Sequence, residues 1–379
     1  MLSIEVIRLA KEEGAVLYVS DGKLKCKPGS RGMSDKLIQG IKDNKVELIS
    51  LLSDDSNKRS QDYCASTEKD EHSSVSYSQS RMYIEHQAGA SGALTVPFAF
   101  EVDKYICESD FNNGVSETFR KHGILSQGFS LTEKGVKTFA LGGQPHTDYV
   151  DGAGLSHSSI DEILLSWQNH HFDLEKEIKF RVGLISQKGR SIIMIVTHHI
   201  CVDGESMKIL ARDLISSILG VDAEQHSGNE YEFSDFAHNQ RAMVERNKKA
   251  RDYWRDTLKG APSCHSIPTK NSSNGEEGTK EFSASLTKEQ ASDFLSFCQN
   301  RGLSKFSSLQ SMWALCVGSL SYAKDIVIGT PVSGRLDTVD SIVVGPYVNS
   351  IPVRTNIGIG QSLRDFIELS SQTFSTAME

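Results

Sequence analysis

The sequence has no paired cysteines, no surplus of positive charge and no apolar run long enough to cross a bilayer. Its seven cysteines are odd in number, widely scattered and without a CxxC pair. That pattern excludes a disulfide frame or zinc ribbon and reads as reduced, intracellular thiols. A formal net charge of -8 argues against nucleic acid as a partner, because phosphate contact needs concentrated Lys and Arg. No stretch approaches the ~20 apolar residues of a transmembrane helix. The first apolar run is broken at once by Arg8, Lys11 and Glu12, so nothing near Met1 reads as a signal peptide. A cytoplasmic location without a membrane partner is expected. The apolar fraction of 38% is low for a globular chain. A polar linker should therefore separate the two or three domains that 379 residues allow.

Residues 1–54 read as a small helix–hairpin–helix–helix unit. Ser3 can cap a first helix carrying Ile4, Ile7 and Ala10, and Gly14 ends it. AVLYVSDGKLKCK then alternates apolar and polar residues around Asp21-Gly22, a strong hairpin signal. Ser34 caps a second helix with Leu37, Ile38 and Ile41, and a third follows with Val46, Leu48, Ile49 and Leu52. Residues 55–75 carry Ser, Lys and acidic residues with almost nothing apolar, too little to offset ordering entropy; they read as the linker. From Ser76 onward the pattern is mixed α/β. Strands are expected at 98–102, 179–186, 191–197, 281–287 and 325–331. Helices are expected at 110–122, 159–168, 206–219 and 236–259, with a buried helix at 308–323.

The chemistry-bearing segment is IVTHHICVDGES, residues 195–206. A buried strand ends at Thr197, His198 and His199 follow, and Asp203-Gly204 turns the chain into a helix. Such a junction presents side chains at a cleft on a rigid backbone, and Gly204 is expected to supply a positive φ. A neutral imidazole, with its ordinary pKa of about 6.5, can accept or orient a proton at cellular pH. A structural His pair and a metal site are the alternatives. No further His, Cys or carboxylate cluster completes a metal site, and adjacent strand residues point in opposite directions. His170-His171 lacks the Asp-Gly turn and reads as structural.

His198, His199, Asp203 and Gly204 match the HHxxxDG motif, and the chain here resembles the condensation domains of nonribosomal peptide synthetases. Other elements follow in that family's order. YSQSRMYIEHQ (77–87) is similar to the opening SxAQxRLW element, and FDLEKEIKFRVGL (172–184) to FDLxxxPLxR. YEFSDFAHNQRA (231–242) resembles YxDFAxWQ, and ARDYWRDTLKGAP (250–262) resembles YWxxxLxGAP. IGTPVSGR (328–335) and VGPYVNSIPVR (344–354) resemble the later motifs. Two departures stand out. RKHGILSQGF (120–129) replaces RHExLRTxF, without the Glu and with Ser126 for Arg, and the final motif is missing before Glu379.

The resemblance implies a two-lobed, chloramphenicol-acetyltransferase-like fold, with lobes at 76–250 and 251–379 and the second lobe incomplete. It implies amide formation between a donor acyl thioester and the amine of an acceptor aminoacyl thioester, both carried on phosphopantetheine arms of carrier proteins. No cofactor or metal of the chain's own is implied. His199 would be the catalytic histidine, with Gly204 shaping the same centre. His198 would be structural, and Asp203 would pair with Arg335 architecturally. An epimerisation domain, or a docking or gating module without catalysis, remains an alternative. Residues 1–54 are similar to the TubC-type docking domains that open many synthetase subunits. Lys23, Lys25, Lys27 and Arg31 would then receive the acidic tail of an upstream synthase; a solvated basic edge is the alternative.

Overall fold

The computed structural model describes residues 6, 9–10, 13, 15–20, 23–27, 32–45, 75–221, 231–267, 283–335, 340–358 and 360–378. They fall in two compact units, Met1–Glu71 and His72–Glu379.

In the first unit, β1 (Val16–Ser20) and β2 (Lys23–Lys27) pair antiparallel, Val16 opposite Lys27 and Ser20 opposite Lys23. Period-two alternation divides β2. Leu24 and Cys26 pack on a core of Val6, Ala10, Ala15 and Leu37, while Lys25 and Lys27 are exposed. Helix α1 (Asp35–Asp43) starts at Ser34, whose Oγ accepts from Leu37 N–H at 3.2 Å. Residues 6, 9 and 10 are helical. The Asp21-Gly22 turn, Arg31, the Lys23 side chain, all but the start of the third helix and nearly all of the linker lie outside the described residues.

The second unit is built on a four-stranded sheet in the order β3–β8–β7–β6. Its strands are β3 (Thr95–Val102), β6 (His146–Asp151), β7 (Phe180–Gln187) and β8 (Arg190–His198). β7 and β8, and β8 and β3, run antiparallel; β6 joins β7 parallel. β8 is central, which explains its unbroken apolar run. Ile193 and Ile195 face one core with Phe111, Val115, Leu210 and Leu214. Ile192, Met194 and Val196 face the other, with Ile160, Phe172 and Trp167. Helices α3 (Glu108–Lys121) and α5 (Gly204–Leu219) cover the first face, and α4 (His157–Gln168) the second. α3 and α5 approach so closely that a Cβ at Gly114 would come 2.5 Å from the Ile218 side chain.

Helix α2 (Tyr77–Glu85) opens the unit with a reciprocal capping box between Ser76 and Gln79. A π-helical segment, His86–Ala90, extends it. The hairpin β4 (Gln127–Thr132) with β5 (Gly135–Ala140) and strand β6 are not among the strands that the sequence pattern predicts. The single helix expected over 236–259 is two, α6 (Phe233–Arg246) and α7 (Lys248–Leu258). Asn247 breaks the run and caps the second helix, accepting from Ala250 N–H at 2.9 Å. Residues 283–287 of the expected strand 281–287 form no strand; Thr287 instead caps α8 (Lys288–Asn300).

Helix α9 (Lys305–Ser321) lies where a buried helix is expected, but only one side is buried. Ala314 and Val317 pack with Ile326, Phe366 and Ile367. These belong to the hairpin β9 (Asp325–Val332) with β10 (Asn349–Asn356) and to α10 (Leu363–Met378). Leu309, Trp313 and Leu320 form an exposed stripe, Trp313 being 63% accessible. Among the described residues no helix is long and apolar enough to cross a membrane.

Candidate active site

The junction between β8 and α5 is held from three sides. His199 N–H donates to Leu94 O at 2.8 Å, and Cys201 N–H donates to His198 O at 2.9 Å. Helix α2 grips Ile200, because buried Gln79 donates from Nε2 to Ile200 O at 3.1 Å. Ile200 N–H in turn donates to His198 Nδ1 at 3.1 Å.

The two histidines have different surroundings. His198 is fully buried, its Nε2 3.2 Å from His86 Nδ1 and its ring edge-on to those of His86 and Phe172. Burial, reinforced by the neighbouring His86, Lys179 and His199, pushes its pKa down to about 3. The ring is therefore neutral at physiological pH. His199 is half-buried and, among the described residues, its buried Nδ1 has no hydrogen-bond partner.

Asp203 is the N-cap of α5, accepting at Oδ1 from Ser206 N–H at 2.8 Å. The expected pairing with Arg335 is present: Nη2 lies 2.8 Å from Asp203 Oδ1, with both side chains buried. Arg335 does more than pair. Nη2 donates to Ser206 Oγ at 2.7 Å, and Nη1 donates to Val343 O at 2.8 Å and to Asp340 O. Its guanidinium lies over the Tyr347 ring, 4.2 Å from the centroid. Tyr347 N–H reaches Asp203 Oδ2 at 3.2 Å, and Gly345 N–H donates to Ser206 Oγ at 3.0 Å. One guanidinium thus ties the segment Asp340–Tyr347 to the start of α5.

Gly204 corrects the expectation of a positive φ. It is the first residue of α5 and is not among the positive-φ glycines. A Cβ there would meet nothing within 4 Å, so the absent side chain leaves open space beside the turn. Among the described residues no three His, Cys, Asp or Glu side chains converge as a metal site would need. His170 sits apart, Nε2 2.6 Å from Glu177 Oε1, and His171 lies near Ser91.

Residues 69–379 match the condensation-domain family. The chain belongs to that family. Condensation domains of nonribosomal peptide synthetases are amide-forming acyltransferases. Malpinin synthetase of Mortierella alpina is 26% identical over 319 residues, covering 78% of this chain and 4% of the relative. Tyrocidine synthase 3 of Brevibacillus parabrevis is 26% identical over 324 residues, covering 80% of this chain and 5% of the relative. This condensation domain with its N-terminal unit thus spans a small fraction of the curated proteins it matches. Among solved structures, the first condensation domain of the CDA synthetase superposes with a TM-score of 0.64 at 16% identity, covering 81% of this chain and 74% of that one. The X-domain from teicoplanin biosynthesis gives a TM-score of 0.72 at 16% identity, covering 83% and 72%. These likenesses establish the fold.

Within the condensation domain, the missing Glu of the RHExLRTxF element has a physical counterpart. Gly123 stands where RHExLRTxF has Glu, and a Cβ there would come 3.0 Å from Glu232 Oε1. A carboxylate from the start of α6 therefore occupies the neighbourhood of the missing one. His122 Nε2 lies 3.0 Å from buried Asp213, which Lys121 also reaches at 2.8 Å. Burial acts to raise the Asp213 pKa, but the bonds from His122 and Lys121 outweigh it and hold the carboxyl well below its usual range. These residues, with Tyr231, Phe233 and Val343, line a cleft of ≈ 210 Å³ that His199 does not line.

Three contributors to the site were missed in the sequence. Ser206 looks like an ordinary helix-start residue, and His86 like a polar residue at a helix end. Lys179 occupies the position of Leu in FDLxxxPLxR, and that departure was the available signal. It is fully buried, with Nζ donating to Leu174 O at 3.0 Å and lying 5.4 Å from the Phe129 ring centroid. Burial lowers its pKa to about 8, against weaker opposing effects of Cys201, Asp173 and Glu177.

Proposed function

We propose that this chain joins a donor acyl or peptidyl thioester to the amine of an acceptor aminoacyl thioester, both delivered on phosphopantetheine arms of carrier proteins. The observation that carries the reading is the turn itself. His199, half-buried and with a buried, unpartnered Nδ1, stands on a backbone fixed by Leu94, Gln79 and the Asp203–Arg335 network. His199 takes or orients the proton of the attacking amine, whose ordinary pKa of about 7.7–8.0 means that it needs little help to be neutral. His198 is too deeply buried to share that role. Gly204 keeps the approach clear. Holding two tethered reactants together supplies up to ~7–11 kcal/mol of the barrier reduction.

We assign residues 76–250 and 251–379 to two lobes. Separate apolar clusters, one around β8 and one around Ala314 and Phe366, support this division. The exposed stripe on α9 supports a second lobe that packs this side against further secondary structure. The decisive assay measures amide formation with donor- and acceptor-loaded carriers, using this chain, a C-terminally longer form and His199→Ala. Product should appear with unmutated protein and fall by about 10²–10³-fold in His199→Ala. Undiminished product in the variant would remove His199 from the chemistry.

The N-terminal unit is a docking domain of the TubC type on this reading, and its ligand is an acidic tail of an upstream synthase. Lys25 and Lys27 share the outward side of β2, opposite Leu24 and Cys26, where an added strand and charge attraction can act together. A Lys25→Glu/Lys27→Glu variant should bind an acidic peptide about tenfold or more weakly. Native affinity should fall as salt rises. Equal peptide binding by both proteins at all salt concentrations would refute the docking role.

A further inference from the structure

We infer that His86 is a positioning residue of the catalytic turn, holding His198 in the one tautomer that keeps Ile200 N–H bonded. The inference deepens the proposed reaction and rests on it for its kinetic consequence. Its structural content stands separately.

A backbone N–H can only donate, so His198 Nδ1, 3.1 Å from Ile200 N, must present a lone pair. The neutral ring then carries its proton on Nε2. Nε2 lies 3.2 Å from His86 Nδ1, which must accept, leaving the His86 proton on its own Nε2. The rings cross at 70° with centroids 5.1 Å apart. His198 has no exposed surface, and its Nε2 meets His86 at the half-buried end of the helix. The same helix reaches Ile200 O through Gln79 at 3.1 Å. Helix α2 and its C-cap His86 therefore hold Ile200 O directly, through Gln79, and its N–H indirectly, through His198, next to His199.

Local backbone geometry agrees with a specialised position. His86 N–H is shared between Met82 O and Tyr83 O, and the π-helical turn that begins there ends through Gly89 at φ 101. The charged and titratable groups facing His86 are Asp173 and His171 from the segment before β7, and His198 from β8. Glu85 on its own helix is paired with Arg81. Lys179 and His199 act on His198. Protonating His86 at Nδ1 would set donor against donor. His198 could answer only by moving its proton to Nδ1, which expels Ile200 N–H.

The test uses the full chain with ¹⁵N-labelled histidine rings, and spectra of the native protein and of His86→Gln and His86→Leu across the pH range of activity. Native His198 should show a protonated Nε2 and an unprotonated Nδ1. His86→Gln, whose amide oxygen can accept, should keep that tautomer and most of kcat. It should also lose the acid limb contributed by His86. His86→Leu should mix the two tautomers and lower kcat by roughly tenfold to a hundredfold with KM little changed. A native His198 protonated on Nδ1 would overturn the inference without any variant having to fold, and so would a His86→Leu protein with native tautomer and rate. If no protein forms amide while the tautomers are as described, the proposed reaction fails and the positioning contact stands.

Discussion

Arg335→Ala should cost the condensation unit on the order of 3–5 kcal/mol, because it strands a buried carboxylate. Thermal unfolding should register this as a fall in Tm of about 10 °C. The magnitude follows from what the guanidinium holds. Asp203 Oδ1, Ser206 Oγ and the carbonyls of Asp340, Val343 and Gly345 all accept from it. Without Arg335, several of these buried acceptors lose a donor at once, and the segment carrying Tyr347 loses its tie to α5.

The two halves of the pair should not be equivalent. Asp203→Asn keeps an oxygen that can cap α5 at Ser206 N–H, and it leaves Arg335 with hydroxyl and carbonyl acceptors. Its cost should be smaller than that of Arg335→Ala, and Arg335→Lys should fall between, since one ammonium cannot replace a planar fork reaching two elements. Urea unfolding of the three variants gives the order. Arg335→Ala as stable as the native protein would mean that the charge is not stranded.

The same pair shows what was legible in the sequence. Asp203 and Arg335 are 132 residues apart, and the ordered motifs placed them together because each motif fixes one partner. β8 was legible because a central strand must be apolar on both faces. The Ser34, Asp203 and Thr287 caps illustrate how a short side chain sets a helix start, though the pattern of residues 281–287 predicts a strand through Thr287. What escaped notice depends on partners distant in sequence. His86 and His198 are 112 residues apart, and nothing in YIEHQ distinguishes a half-buried acceptor from a surface histidine. Asn247 breaks a helix through its own cap without the Gly or Pro that usually marks a boundary. α9 carries apolar residues on both sides, Ala314 and Val317 on one and Leu309 and Trp313 on the other, which reads as full burial, yet Trp313 shows that one side has no cover among the described residues.

The pH dependence of stability should carry the signature of two buried bases behind the turn, in separate windows. His198 has a folded pKa of about 3 against an ordinary value of about 6.5. Above pH ~6.5 both states are neutral and stability is complete. As pH falls from there towards 3, the unfolded chain gains a proton that the folded chain refuses, a loss on the order of 5 kcal/mol. Lys179 has a folded pKa of about 8 against an ordinary ~10.4. Its contribution is lost between those values as pH falls, so at neutral pH the fold holds a buried ammonium at a cost of about 3 kcal/mol. Lys179→Met fills the same path without the charge. Leu174 O loses one donor but retains Phe129 N–H at 2.9 Å. The variant should therefore gain about 2–3 kcal/mol at pH 7 and lose the alkaline limb. Removing the ammonium should also make His198 easier to protonate, since Lys179 helps to hold its pKa down. The acid window should then narrow from its lower end. His198→Asn, which retains an acceptor for Ile200 N–H, should flatten that limb. Urea midpoints from pH 3 to 10 separate the two windows, and a Lys179→Met protein that is less stable at pH 7 with both limbs intact would refute the account.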